Sequence, residues 1–293
     1  MDAHVWQAVL LGIIQGLTEF LPVSSSGHLA IAQHYLPGFK QPGILLDVLL
    51  HFGTLVAVAL YFYRDLKDLV LNVAVGARHA ARLSSPKSVP LPEKPGGRLL
   101  IGLVVASVPT AAIGLFLEDR VEKWFESLSA VGAALIGTAV LLAAGEFAAR
   151  RREKNVGARQ ALPLRQDPGI GQSLLIGLFQ GLAVIPGLSR SGSTISAGLL
   201  CGVEGVTAAR FSFLLSIPAV GGATAITLVK HLGEIQAGSA GEIAGYVLGP
   251  LMAAGIGYAG IGLMMRVMKR ARLSYFAVYC ALLGLATMLV ATR

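Results

Sequence analysis

Hydrophobic residues in this chain come in long runs, not in the alternation of a strand or the one-sided stripe of a soluble helix. Six runs are long enough to cross a hydrocarbon layer of ~30 Å, which takes about 20 helical residues: 44–63, 98–117, 128–149, 207–231, 243–267 and 274–292. Two further apolar stretches, 5–36 and 170–202, are each interrupted midway by proline, glycine and a serine cluster. Neither half of either stretch can cross the layer. Irregular backbone at membrane depth is tolerated only where protein or a water-filled cavity surrounds it. Each stretch is therefore predicted to be a re-entrant helix–turn–helix hairpin.

Composition agrees with a polytopic membrane protein. Of 293 residues, 54% are hydrophobic and only 14% are charged, with a mean hydropathy of +0.69; a soluble chain carries about a quarter charged residues. The net charge of +8 does not point to nucleic acid, because the basic residues are confined to a few loops between apolar runs. Cys201 and Cys280 lie far apart in apolar segments, so free thiols are expected. No basic n-region precedes the first apolar run, so no removable signal peptide is expected.

The two hairpins resemble each other. GIIQGLTEFLPVSSSGHLAIA (12–32) aligns without gaps on GLFQGLAVIPGLSRSGSTISA (177–197), with eight identities in 21 positions. They include Gly12/Gly177, Gln15/Gln180, Ser24/Ser189 and Ser26/Ser191. Each copy precedes three spans. The predicted fold is an all-α polytopic membrane protein built as a repeat: 1–149 with hairpin 5–36 and spans 44–63, 98–117 and 128–149, then 150–293 with hairpin 170–202 and spans 207–231, 243–267 and 274–292.

Lys and Arg set the expected orientation. They crowd the loops at 64–98 and 150–168 and the turn at 266–272, which should be cytoplasmic. The connections 118–127 and 232–242 are acidic or nearly uncharged and should face outward. The first hairpin then enters from outside and the second from the cytoplasm. This is an inverted-topology repeat whose broken helices meet near the midplane. Residues 80–97 read as a cytoplasmic loop and no separate soluble domain is visible.

Polar groups at membrane depth are costly, so each is a functional candidate. A half-helix starts after each turn, and its free N–H groups and positive dipole end suit a phosphate. Arg190 in PGLSRSGST adds a planar fork that pairs with phosphate oxygens. The first turn supplies Glu19, Ser25 and His28: a carboxylate able to hold a divalent cation, a serine able to attack phosphorus or orient water, and a histidine able to move the proton. Ser24, Ser26 and Ser191 serve equally well as helix caps, Gln15 and Gln180 as interhelical hydrogen-bond partners, and Glu19 and Arg190 as a structural ion pair. Asp47 and His51 are read as packing or snorkelling groups at the outer end of a span, and Glu204 and Arg210 as part of the cytoplasmic charge pattern. The same turns would suit phosphoryl transfer or transport of an anion.

QGLTEFLPVSSSGH and PGLSRSGST resemble the two signatures of the bacterial undecaprenyl-pyrophosphate phosphatase family of the bacitracin-resistance type, and the resemblance covers essentially the whole chain. It implies hydrolysis of the C55 isoprenyl diphosphate to the monophosphate, which recycles the lipid carrier of peptidoglycan and other envelope polymers and confers bacitracin resistance. It also implies a divalent cation (Mg2+ or Ca2+), a homodimer in the bacterial inner membrane and a site open toward the periplasm. Carried over by position, Glu19, Ser25, His28 and Arg190 are catalytic, and Gln15, Ser24, Ser26, Ser189, Ser191 and Thr194 bind substrate. Glu19 is the metal contact; some members have a second glutamate where this chain has Gln15, here a neutral helper. A flippase of the polyprenyl phosphate is the competing reading. A phosphohistidine mechanism needs a second signature histidine, which the motifs lack.

Overall fold

A computed structural model describes residues 3–38, 45–71, 97–156, 167–231, 233 and 239–291. The described residues are helical, with short turns between helices. Most of the basic loops at 64–98 and 150–168, including most of 80–97, fall outside the described residues, as does most of the connection at 232–242.

The first broken stretch is α1 (Ala3–Thr18) and α2 (Ser25–Tyr35); the second is α7 (Ile170–Leu182) and α8 (Arg190–Leu200). At 1.5 Å per residue, the longest of these four reaches only about 24 Å. Between them stand α3 (Leu45–Tyr61), which bends by 74° into α4 (Tyr63–Leu71), then α5 (Gly97–Phe125) and α6 (Leu128–Val156). After the second hairpin come α9 (Gly205–Lys230), α10 (Ala240–Met268) and α11 (Ser274–Ala291). Among the described residues five helices are long and apolar enough to cross a membrane, or six if the bent α3–α4 pair is one span.

Two boundaries differ from the reading of the sequence. Residues 118–125, expected in an outward loop, continue α5, and α6 runs past 149 to Val156. Both extensions are rich in Glu, Arg and Lys, which are good helix formers; once past the apolar layer they prolong the helix instead of ending it. Cys201 and Cys280 are free, as expected.

Close backbone approach holds the bundle together, as it does where lipid removes the usual hydrophobic drive between helices. Gly12 of α1 lies on the carbonyl of Gly249 in α10, and its alignment partner Gly177 of α7 lies on the carbonyl of Ala106 in α5. A Cβ at either position would overlap that backbone. Each hairpin thus packs on the second span of the other half of the chain. Gly132 of α6 and Gly284 of α11 approach in the same way. Pro109, Pro218 and Pro250 interrupt α5, α9 and α10 from within.

Candidate functional site

The two broken stretches meet at their turns. Ser24 caps α2, its hydroxyl accepting from the Gly27 N–H at 3.2 Å, and Ser189 caps α8, accepting from the Gly192 N–H at 3.0 Å. Ser24 holds a φ of 69°, a left-handed conformation uncommon outside glycine. Thr138 of α6 fixes the second turn, donating to the Gly187 carbonyl at 3.0 Å and accepting from the Ser189 N–H at 2.9 Å. The aligned serines Ser26 and Ser191 stitch the turns together. Ser26 accepts from the Gly187 N–H at 3.4 Å, and Ser191 donates to the Leu21 carbonyl at 3.3 Å.

This bracing places Ser25 and Arg190, each the first residue of its helix, on one carboxylate. Glu19, 6% exposed, follows the end of α1. Arg190 Nη2 pairs with its Oε1 and the Ser25 hydroxyl donates to its Oε2. Gln15 Nε2 donates to the same Oε2 at 2.9 Å, and the amide orientation follows from the carboxylate being acceptor only. Arg190 Nη1 donates to the Ser212 carbonyl at 3.4 Å. The positive ends of two helix dipoles converge at this point.

Glu19, Ser25, Ser26 and Arg190 form the polar end of a cavity of about 480 Å³, whose walls include Val121, Phe125, Val184 and Val220. That volume suits a small-molecule ligand, and the combination of an anion site with an apolar wall suits a phosphate carried on a hydrocarbon chain.

The structure does not bring every sequence candidate to the cavity. His28 turns toward α11: its Nδ1 is 2.7 Å from the Ser24 carbonyl, its Nε2 is 2.7 Å from the Tyr279 hydroxyl, and its ring stacks on that of Tyr279. Thr194 is buried behind the turn, donating to the Arg190 carbonyl at 2.8 Å and sharing a hydrogen bond with the Ser212 hydroxyl at 2.6 Å. Ser24, Ser189 and Ser191 serve as caps and braces, and the cavity lining does not include them.

Two residues set aside as packing groups line the cavity instead. His51 of α3 places Nε2 3.6 Å from Glu19 Oε2, with Nδ1 2.8 Å from the Asp47 carbonyl. Asp47 accepts from Gln33 Nε2 at 2.6 Å. Their signal in the sequence is a pair of ionisable residues four apart, hence on one helix face, in an otherwise apolar span. Gln180 also lines the cavity, and among the described residues its buried Oε1 has no partner. Arg210, read as part of the cytoplasmic charge pattern, pairs with Asp65 and Asp167, while Glu204 caps α9.

The residues around Glu19 do not fit a resident divalent cation. Both carboxylate oxygens are engaged, one by a guanidinium, and among the described residues no three His, Cys, Asp or Glu side chains converge as a metal site.

The family model described as bacitracin resistance protein BacA matches residues 8–286. This chain belongs to the BacA family. Among its relatives is the undecaprenyl-diphosphatase of Syntrophotalea carbinolica, 47% identical over 94% of this chain and 95% of the relative. That of Desulforapulum autotrophicum is 40% identical over 98% of both chains. That of Methanosphaera stadtmanae is 35% identical, again over 98% of both. The family assignment and the apolar helices together make this BacA-family chain a multi-pass membrane protein.

Proposed function

We infer that this chain hydrolyses undecaprenyl diphosphate to undecaprenyl phosphate, and so returns the carrier lipid to envelope synthesis. The observation that carries the reading is the convergence of Ser25 and Arg190 on Glu19 at the polar end of an apolar-walled cavity. It occurs in a chain 35–47% identical to proteins named for that activity.

The diphosphate head enters the polar end, with the isoprenyl chain along the apolar wall. Arg190 clamps phosphate oxygens with its fork. The Ser25 oxygen attacks the terminal phosphorus as its proton passes to Glu19 Oε2, which already accepts its hydrogen bond. The new P–O bond forms as the bridging P–O bond breaks, and the electron pair leaves on the lipid monophosphate. The lipid monophosphate takes the proton from Glu19 as it leaves; Glu19 then takes a proton from the water that attacks the phosphoserine, the bond from phosphorus to the serine oxygen breaks, and that proton restores the serine hydroxyl as inorganic phosphate is released.

The cavity is lined by the first half of α3, the last turn of α5 and the second half of α9. By the distribution of Lys and Arg, that end faces the periplasm, in an inner-membrane protein whose halves have inverted topology. The test of the activity is phosphate release from undecaprenyl diphosphate by the purified chain in detergent. Substrate consumption with release of inorganic phosphate is expected; binding without release would overturn the reading. A cation requirement, tested by chelation, is expected to act on the charge of the diphosphate itself, since Glu19 is occupied.

A further inference from the structure

The backbone of the first turn is tied at three carbonyls, each by a different side chain. Leu21 accepts from the Ser191 hydroxyl of the second turn at 3.3 Å. Pro22 accepts from the thiol of Cys280, fully buried on α11, at 3.7 Å. Ser24 accepts from His28 Nδ1 at 2.7 Å and from the His28 N–H at 3.1 Å. His28 is in turn held by Tyr279 of α11, whose hydroxyl lies 2.7 Å from Nε2. Consecutive residues of the last helix therefore reach both sides of Val23, Cys280 directly and Tyr279 through His28.

The direction of each bond from Tyr279 to the turn is fixed. A carbonyl oxygen only accepts, so His28 Nδ1 carries a hydrogen and donates it to Ser24. In the neutral ring Nε2 is then the acceptor, and the Tyr279 hydroxyl donates to it.

The helix that carries Tyr279 is itself anchored at its start. The Glu146 carboxylate of α6 accepts from the N–H groups of Leu273 and Ser274 and from the Ser274 hydroxyl, satisfying donors that a helix start leaves unpaired. Glu146 stands about two turns along α6 from Thr138, which fixes the second turn. One helix thus frames both turns, the second through Thr138 and the first through α11.

Packing alone does not account for Tyr279, which is 46% exposed. Ser24 gives the contact its use. Its φ of 69° belongs to a sparsely populated region, and such a conformation persists only where the surroundings over-determine it. Ser25, next in the chain, starts α2 and reaches Glu19.

We propose that Tyr279 is a positioning residue for the hydrolysis: through His28 it holds Ser24 in its left-handed conformation, and so keeps the Ser25 hydroxyl on Glu19. The effect on turnover rests on the phosphatase reading; the hold on the turn rests on the contacts. Tyr279 does not line the cavity, so it acts through His28 and not on the substrate.

The test compares the full wild-type chain in detergent with Tyr279→Phe, His28→Ala and the double variant. Tyr279→Phe keeps the ring and removes only the donor. It is expected to lower kcat roughly tenfold with KM unchanged, a smaller loss than the ~10² of a displaced reactive group, because His28 Nδ1 still reaches Ser24. The double variant is expected to lie within about twofold of His28→Ala, since two residues acting through one contact do not add. Hydrogen exchange at the amides of residues 23–28 is expected to be faster in Tyr279→Phe, and equal in His28→Ala and the double variant, with the rest of the bundle unaltered. Wild-type kcat in Tyr279→Phe overturns the proposal, and so do losses that multiply in the double variant. A loss that comes with a lower melting temperature and faster exchange throughout the bundle makes Tyr279 a packing residue and overturns it too. Exchange at the turn is read whether or not phosphate is released. Faster exchange confined to the turn, in a chain that releases no phosphate, sinks the phosphatase reading and keeps the hold on the turn; unchanged exchange with phosphate release does the reverse.

Discussion

Arg190 reaches from the second hairpin to Glu19 of the first, pairing residues 171 apart in the chain. Neither turn is complete alone: the carboxylate and serine come from one, the guanidinium from the other. Ser25 and Arg190 occupy aligned positions at the starts of their helices, and both reach the one acid.

Arg190 uses separate nitrogens for Glu19 and the Ser212 carbonyl, and a lysine ammonium cannot reproduce that planar spread. Arg190→Lys is expected to lower kcat by about 10²–10³, the usual loss when a transition-state donor is removed. Phosphate release checks this, with a melt in detergent to show the fold intact. Near-wild-type turnover would end the clamp role.

Ser25→Ala removes the oxygen proposed to attack phosphorus, and turnover is expected to fall to background. Glu19→Gln removes the proposed proton acceptor while keeping the shape, and the expected loss is about 10²–10⁴. Rapid-quench trapping of a phosphoserine in the wild type, absent in Ser25→Ala, is the direct measurement. A Ser25→Ala variant only modestly slowed would assign the attack to water.

His28 does not face the cavity; it holds the carbonyl of Ser24, whose φ of 69° sets the start of α2. We propose that, acting through Ser24 and Ser25, it positions the nucleophile. His28→Ala is expected to lower kcat by about 10², the scale of a displaced reactive group, with both limbs of the pH–rate profile kept. Loss of one limb would make it a proton-transfer residue after all.

The backbone contacts at Gly12 and Gly177 leave no room for a methyl group. Gly12→Ala and Gly177→Ala are each expected to destabilise the bundle by about 1–3 kcal/mol, as overpacking does. Thermal melting in detergent checks it, and an unchanged melt for both would show the interfaces to be looser than described.

How much of this was legible in the sequence depends on which physical signal each element carries. The spans were, because 20 apolar residues have few other homes, and so were the broken stretches, because proline and serine at mid-membrane demand a cavity. The pairing of Glu19 with Arg190 was available as one reading of two opposite charges at depth. The ends of α5 and α6 were not, since a charged run marks the edge of the membrane but not the end of a helix. The direction of His28 was not legible either: motif membership fixes a residue's place on the chain, and a hydrogen bond from Tyr279, on the last helix, decides where its ring points. For His51 and Asp47 the sequence shows the end of a span, and the structure adds that α3 carries them to the cavity wall.

His51 therefore supplies the most discriminating test of the cavity as drawn. Its Nδ1 is engaged by the Asp47 carbonyl, which leaves Nε2 as the atom presented to Glu19 and to the space beside it. At 3.6 Å the approach to Glu19 is too long for a direct hydrogen bond, so the ring is placed to meet a substrate oxygen or a bridging water. His51→Leu keeps comparable bulk and removes the polar edge. It is expected to raise KM and lower kcat/KM by roughly tenfold, the value of one hydrogen bond to a charged group. His51→Gln retains a polar group near the same place and is expected to recover most of the loss. That ordering of leucine below glutamine would not arise if the histidine only filled space, for then the apolar replacement would be the better tolerated. Steady-state kinetics of both variants on undecaprenyl diphosphate decide it. Equal kcat/KM for His51→Leu and wild type would remove α3 from the site and confine recognition to the two turns.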